Sequence, residues 1–137
     1  MADPVDTNVV LRYLVEDPES IGSPFQGVFD FFAKLENGER TALLTPLVLS
    51  QSYFVLTSYY DVPRPQAASK LRSLLSFKGL RVPERAVLKR CFGILTERSV
   101  DLVDAYLASL CVTRQLSGVY SYDEGLRAFG VVLLPVD

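Results

Sequence analysis

The chain passes from a short apolar strand into an amphipathic helix in the stretch Val5-Asp6-Thr7-Asn8-Val9-Val10-Leu11-Arg12-Tyr13-Leu14. Apolar residues recur in it at helical spacing, and Thr7 or Asn8 is the predicted N-cap. In α/β proteins, ligands bind at the edge of the sheet formed by the carboxyl ends of the strands. Asp6, at this junction, is therefore predicted to lie at the edge of a sheet.

Short apolar strands alternate with helices along the rest of the chain. Strands are predicted at 2–5, 40–44, 80–82, 119–122 and 131–134, and helices at 7–15, 24–36, 46–60, 65–77, 83–97 and 100–116, with a helical turn at 124–128. Helices between strands imply parallel pairing and a sheet covered on both faces. We expect residues 1–137 to form a single α/β domain with a central, mostly parallel β-sheet of four to five short strands flanked by helices on both faces. The helix at 46–60 is apolar nearly all round and is predicted to be buried.

Composition excludes several classes of protein. The 137 residues contain no histidine, which excludes catalysis by a histidine base, a Ser-His-Asp triad and zinc held by histidine. Cys91 and Cys111 fall on apolar helices and are predicted to be buried, reduced thiols. No apolar stretch approaches the roughly 20 residues of a membrane span, and the first residues lack the pattern of a signal peptide. The sequence therefore predicts a cytoplasmic protein without membrane contact.

Charge is distributed unevenly along the chain. Residues 1–39 contain eight acids and two bases, whereas residues 64–98 contain nine bases and two acids, a net charge of +7. The basic segment is either a solvated helical face or a surface that contacts phosphates.

Two further aspartates have settings similar to that of Asp6. Asp104 lies near the start of the helix at 100–116, one turn after Asp101, and Asp123 follows the strand at 119–122. If Asp6, Asp104 and Asp123 converge, carboxylates about 5 Å apart repel by about 3 kcal/mol per pair at an effective dielectric near 20. Mg²⁺ or Mn²⁺ would neutralise such a cluster. Alternatively, Asp6 is a helix cap, Asp104 a first-turn acid and Asp123 a turn residue.

Three motifs, in their order along the chain, resemble the PIN domain, and in particular its VapC-type toxin ribonucleases of bacterial toxin–antitoxin pairs. They are Asp6-Thr7-Asn8-Val9-Val10-Leu11-Arg12-Tyr13-Leu14, then Val100-Asp101-Leu102-Val103-Asp104-Ala105-Tyr106-Leu107-Ala108, then Val119-Tyr120-Ser121-Tyr122-Asp123 with Gly130-Val131. The resemblance spans nearly the whole chain. It implies a parallel sheet wrapped by helices, with Asp6, Asp104 and Asp123 as the catalytic acids that hold Mg²⁺ or Mn²⁺. By the same resemblance, Asn8 and Ser121 support the first and last of these acids.

One position departs from the family pattern. The family usually has a glutamate in the helix at 46–60, and Gln51 stands there in this chain. Gln51 keeps a carbonyl oxygen but carries no charge, so it attracts a cation less and cannot act as a base. It is alternatively a buried glutamine satisfied by its neighbours. Asp101 or Glu124 is a candidate to replace the missing charge.

The sequence thus predicts a metal-dependent endoribonuclease that hydrolyses RNA phosphodiester bonds, the toxin of a type II toxin–antitoxin pair. The alternative is a PIN-like domain with impaired or lost catalysis that acts as an RNA- or protein-binding module. A phosphatase or phosphotransfer domain with Asp6 as nucleophile is disfavoured, because Asn8 stands where a second aspartate is expected. The bases predicted to contact RNA are Arg64, Lys70, Arg72, Arg81, Arg85, Lys89 and Arg90.

The resemblance also implies protein partners, namely a second copy of the chain in a homodimer and a small antitoxin. Aromatic residues on the helices at 24–36 and 46–60 are either contacts for these partners or part of the core. They are Phe25, Phe29, Phe32, Tyr53, Tyr59 and Tyr60.

Overall fold

A computed structural model describes residues 2–20 and 22–137, without the side chain of Ser23. Helices dominate this part of the chain. Its six α-helices are α1 (Thr7–Val15), α2 (Gly27–Asn37), α3 (Pro46–Ser58), α4 (Arg64–Leu74), α5 (Arg85–Glu97) and α6 (Leu102–Arg114). Two 3-10 helices cover Ser23–Phe25 and Glu124–Phe129. None of the helices described is both long and apolar enough to cross a membrane.

Within the same residues, four strands of two residues each form two separate parallel pairs. They are β1 (Ala42–Leu43), β2 (Leu80–Arg81), β3 (Val119–Tyr120) and β4 (Leu133–Leu134). β1 pairs with β2, and β3 pairs with β4. The N-terminal segment adds to the other side of β1, where the Val5 amide donates to the Leu43 carbonyl at 2.9 Å and the Leu43 amide to the Asp3 carbonyl at 2.8 Å.

The expected central sheet of four to five strands, flanked by helices on both faces, is wrong. Within the described residues, no ladder joins the β1–β2 pair to the β3–β4 pair. Two-residue strands supply only a few ladder hydrogen bonds, and Pro4 has no amide hydrogen to extend the pairing. Helix packing supplies the core instead: α4 lies along α5, and α5 lies along α6.

Glycines allow the backbone to approach closely at the start of both strand pairs. A Cβ at Gly79 would lie 1.9 Å from the Arg40 carbonyl oxygen, and one at Gly118 would lie 2.2 Å from the Val132 carbonyl oxygen. Only glycine leaves room for these neighbouring segments. Both parallel pairs therefore depend on a missing side chain just before a strand.

The predicted helices are found, but several of their ends differ. Asp6 is the N-cap of α1, not Thr7 or Asn8. Thr45 caps α3 as expected, with its hydroxyl accepting from the Val48 amide at 3.2 Å, and Pro46 is the first helical residue. α2 begins later than predicted, after the separate 3-10 turn at Ser23–Phe25. Local capping signals thus locate the helices, but they predict the helix ends only to within a few residues.

Helix α3 is only partly buried, so the prediction of full burial is wrong. Leu49 and Leu56 lie in the core with Tyr53, whereas Leu47 is 83% exposed and Phe54 is 51% exposed. The side of α3 that carries Leu47 faces an apolar groove shared with α5 and α6. An apolar sequence therefore does not imply burial of every face of this helix.

Candidate functional site

Asp104 is a half-buried acid that is affected by two other carboxylates. It lies in the first turn of α6, and Asp101 is the N-cap residue of the same helix. Burial raises the pKa of Asp104 above its ordinary value of 3.8, and the negative charges of Asp123 and Asp101 raise this pKa further. Asp104 and Asp123, which the sequence predicted to converge, are therefore close enough to interact electrostatically.

Asp123 lies in an exposed turn that its neighbours hold in place. Its amide donates to the Ser121 hydroxyl at 2.9 Å, and its Oδ1 accepts from the Gly125 amide at 2.8 Å. The carboxylate thus caps the 3-10 helix at Glu124–Phe129. Ser121 supports Asp123 through the backbone of this turn. Asp123 is thus a turn residue, as the alternative interpretation proposed. Its Oδ2 is available for another contact.

Asp6 lies at the carboxyl end of the N-terminal segment that pairs with β1, at the edge of the ladder where the sequence predicted it. It is exposed, and its Oδ1 accepts from the Thr7 amide at 2.8 Å. Asp6 therefore caps its own helix, as the alternative interpretation proposed. It follows one ladder, whereas Asp123 follows a strand of the other, and no charge effect of Asp6 on Asp104 is found.

Gln51 lies beside the start of α1, next to the first motif. The Thr7 hydroxyl donates to its Oε1 at 3.4 Å, and this weak hydrogen bond joins α1 to α3. Gln51 is exposed, so the interpretation as a buried glutamine is wrong. Asn8 lines a different cleft, between α1 and α2, with Arg12 and Phe25.

The described acids do not form a complete metal cage. Among residues 2–20 and 22–137, no group of three His, Cys, Asp or Glu side chains is close enough to hold one ion. Magnesium is often held by one or two carboxylates, waters and substrate phosphates rather than by an all-protein cage. The Asp104–Asp123 pair, with Asp101 nearby, has the oxygen chemistry for that kind of site. Glu124 is engaged elsewhere, because its Oε2 accepts from Arg127 Nε at 2.5 Å.

The basic segment forms a helix pair whose cations are not neutralised by acids. In the part of the chain that the structure describes, none of the nine bases between residues 64 and 98 makes a salt bridge. Most are exposed, and the predicted RNA-contacting residues among these are Arg64, Lys70, Arg72, Arg81 and Arg90. Lys89 is half-buried, and its backbone carbonyl accepts from Arg72 Nε at 3.0 Å.

Arg85 has a structural task. Its guanidinium donates to the backbone carbonyls of Leu75 and Leu80, so it ties the start of α5 to the end of α4 and to β2. Arg81 also donates to the backbone, from Nη1 to the Lys78 carbonyl at 3.0 Å. Arg85 therefore uses two nitrogens of its guanidinium within the fold, whereas Arg72 and Arg81 each use one.

No protein-family model, curated protein or solved structure matches this chain. The chemistry of the site is therefore inferred only from the side chains of this chain.

The aromatic candidates divide between core and surface. Phe32 and Tyr53 are buried, Phe29 is half-buried, and Phe25, Tyr59 and Tyr60 are exposed. Cys91 is a buried thiol as predicted, and burial raises its pKa to about 12. Cys111 is only half-buried, so its prediction of burial is wrong.

Two features of the structure were not predicted from the sequence. Tyr120 and Tyr122 are strongly exposed on either side of Ser121, next to Asp123. Serines of α4 also line a polar groove between α4 and α5. The spacing of Ser69 and Ser73, four residues apart on a basic helix, was the available signal for the groove.

Proposed function

We propose that this chain is a cytoplasmic, metal-dependent endoribonuclease that hydrolyses RNA phosphodiester bonds, the toxin of a type II toxin–antitoxin pair. The observation that carries the proposal is the combination of two unneutralised surfaces of opposite charge. Asp104 is affected by the charges of Asp123 and Asp101, and none of the three makes a salt bridge among the described residues. The bases of the α4–α5 pair also make no salt bridge among these residues. The acidic surface would attract a cation, and the basic surface would attract a polyanion.

The raised pKa of Asp104 supports a role in proton transfer. A carboxyl group whose pKa lies closer to neutrality is a better general base than an ordinary aspartate. The same shift comes first from burial and then from repulsion by Asp123 and Asp101, and a bound cation would relieve the repulsion. Mg²⁺ or Mn²⁺ at these oxygens would supply positive charge to the phosphate and make nearby water more acidic.

The remaining roles concern RNA binding. Exposed bases of α4 and α5 hold the phosphate backbone, which fixes the position of the strand without reading its sequence. Tyr120 and Tyr122 lie beside Asp123 with their rings exposed, and aromatic rings of this kind stack on the bases of single strands. Single-stranded RNA is therefore the substrate that these side chains suit best.

The test compares cleavage of single-stranded RNA with Mn²⁺ by the wild type and by Asp6→Asn, Asp104→Asn and Asp123→Asn. Asparagine also caps helices, so Asp6→Asn keeps the cap of α1. We expect each variant to lose at least about 100-fold in rate, the lower range for removing acid–base catalysis. Asp30→Asn is the matched control, since Asp30 makes only an exposed salt bridge to Lys34 on α2. Undiminished, metal-stimulated cleavage by all three variants would overturn the assignment.

A second candidate function is an RNA-binding module that has lost catalysis. It is favoured by Gln51, whose neutral amide is hydrogen-bonded to Thr7 where the resembling family carries a glutamate. Gln51→Glu separates the two candidates in an Mn²⁺ titration. If only the substituted protein cleaves RNA, the natural chain is impaired. If neither protein cleaves while both bind RNA, the binding module is the better description.

Partners of this chain are a second copy and a small antitoxin. Leu47 and Val103 are exposed on the rim of an apolar groove of about 270 Å³ between α3, α5 and α6. Exposed apolar surface of this kind is typical of protein interfaces. Light scattering should give twice the mass of one chain, and Leu47→Glu should lower it. A monomer across the micromolar range would remove the homodimer from the proposal.

A further inference from the structure

A polar groove runs between α4 and α5. Its volume is about 470 Å³, and no acid is among its lining residues. They are Ser69, Arg72, Ser73, Ser76, Lys89 and Thr96. The groove thus combines two cations with four hydroxyl groups.

Arg72 is oriented within the groove by α5. Its Nε donates to the Lys89 carbonyl at 3.0 Å, and this contact fixes the plane of the guanidinium. It lies next to Gly93, where a Cβ would be in ordinary van der Waals contact with the guanidinium, 3.4 Å from Arg72 Nε and 3.8 Å from Cζ and Nη2. The guanidinium therefore lies close over α5, and its Nη donors are available to an acceptor from outside.

The hydroxyl groups divide into two kinds. Ser73 donates to the Lys70 carbonyl at 2.7 Å, and Thr96 donates to the Gly93 carbonyl at 2.6 Å, so their hydrogens are used within the helices. Ser69 and Ser76 make no side-chain hydrogen bond within the described residues. The free donors of the groove are therefore the Nη groups of Arg72, the ammonium of Lys89 and two serine hydroxyls.

We infer that this groove binds one phosphate group of the RNA backbone, a contact that rests on the ribonuclease or RNA-binding function proposed above. A phosphate has several acceptor oxygens and matches both a planar guanidinium and a point charge. Neither Arg72 nor Lys89 has an acidic partner within 4 Å among the described residues, so a phosphate would displace no salt bridge. The groove sets the position of the strand on the α4–α5 surface.

The test measures binding of a fluorescent single-stranded oligoribonucleotide by anisotropy, in EDTA so that no cleavage occurs. Arg72→Ala and Arg72→Lys should both weaken binding by roughly tenfold, because lysine keeps the charge but loses the fork of donors. Arg72→Ala should also lower the slope of log affinity against log salt by about 0.7, the value for one phosphate contact on a single strand. Arg40→Lys is the control, since Arg40 is exposed and lies outside the α4–α5 pair, and it should change affinity by less than about twofold.

A second pair of variants tests the groove without removing an intramolecular contact. Ser69→Asp places a negative charge in the groove, and Gln66→Glu places the same charge on α4 outside it. Ser69→Asp should weaken RNA binding at least about fivefold more than Gln66→Glu, because only the first charge faces the bound phosphate. Equal effects of the two would overturn the groove as a site, even if Arg72→Ala fails to fold.

The two proposals fail in different ways. A wild-type chain that binds no RNA at low salt rejects RNA as the partner and the groove together. A wild type that binds RNA while both Arg72 variants bind equally well rejects the groove alone. Weakened binding by Arg72→Ala with full binding by Arg72→Lys also rejects it, because general positive charge then accounts for the effect.

Discussion

Asp104 shows how strongly a single carboxylate depends on its surroundings. It is half-buried in the first turn of α6, where the helix dipole favours its charge. Burial and the charges of Asp123 and Asp101 act in the opposite direction, and their sum raises the pKa of Asp104. The folded chain therefore disfavours the ionised form of this residue, which is the form that a metal ligand must take.

The raised pKa of Asp104 makes stability depend on pH. Its carboxyl binds protons more tightly in the folded chain, so stability falls as pH rises from the unfolded pKa near 3.8 through the folded pKa. Asp104→Asn removes this penalty and should raise the melting temperature at pH 7. The gain should shrink as pH falls below that window, where the wild-type carboxyl is protonated in both states.

Thermal melts of wild type and Asp104→Asn between pH 3 and pH 7.5 measure this effect. Asp30→Asn is the control, because Asp30 lies exposed on α2. A difference between wild type and Asp104→Asn that stays constant over the whole range would contradict the electrostatic explanation.

The strands of this molecule depend on backbone approach more than on their side chains. β1 and β2 are two residues long, and Gly79 precedes β2 where the Arg40 and Leu35 carbonyls come close. The helices, by contrast, are specified by caps and apolar spacing within their own segments. The strands therefore depend on packing between distant segments of the chain, whereas the helices depend on local sequence.

Gly79→Ala tests this dependence. The new Cβ would lie 1.9 Å from one carbonyl oxygen and 2.8 Å from another, so the backbone must move. We expect the free energy of unfolding to fall by about 1–3 kcal/mol, the usual cost of overpacking. Chemical denaturation with both circular dichroism and fluorescence measures the change.

Gly27→Ala is the matched control for Gly79→Ala. Gly27 is the first residue of α2, and an added Cβ there meets no atom within 4 Å. Alanine favours a helix over glycine by about 0.5–1 kcal/mol, so stability should stay the same or rise. Equal destabilisation by both substitutions would show that close backbone approach is not the cause.

The whole molecule separates its charges. Acids dominate residues 1–39, and the α4–α5 pair gathers bases that have no salt bridge among the described residues. The net charge of −2 hides this polarity. A polyanion is therefore attracted to the α4–α5 pair of a protein that is acidic overall.

Salt should weaken RNA binding by the whole molecule. If three or more phosphates are contacted, a fourfold rise in salt lowers affinity more than about tenfold, because each contact on a single strand adds about 0.7 to the slope. Anisotropy titrations from about 50 to 200 mM salt measure it. A peptide nucleic acid of the same sequence, which has no phosphates, should not bind. Affinity that is insensitive to salt would contradict the basic surface.

The sequence predicted the helices well because their signals are local. In the structure α3 begins at Thr45-Pro46 and α2 ends at Asn37-Gly38, as these residue pairs predicted. The sequence also indicated the acids at Asp101, Asp104 and Asp123 that interact. Asp6 was predicted to join them as a metal ligand, which stays a prediction; in the structure one oxygen of its carboxylate caps α1.

The sequence by itself determined the order of the helices, the Thr45 cap of α3 and the separation of acidic from basic segments, since each follows from neighbouring residues. Only the tertiary structure decided that the strands form two parallel pairs and not one sheet. It alone brought Thr7 to Gln51, and Arg72 to Lys89 beside Gly93. The physical reason is that two-residue strands and side-chain contacts between distant helices gain their energy from packing across the whole chain, which a local pattern does not encode.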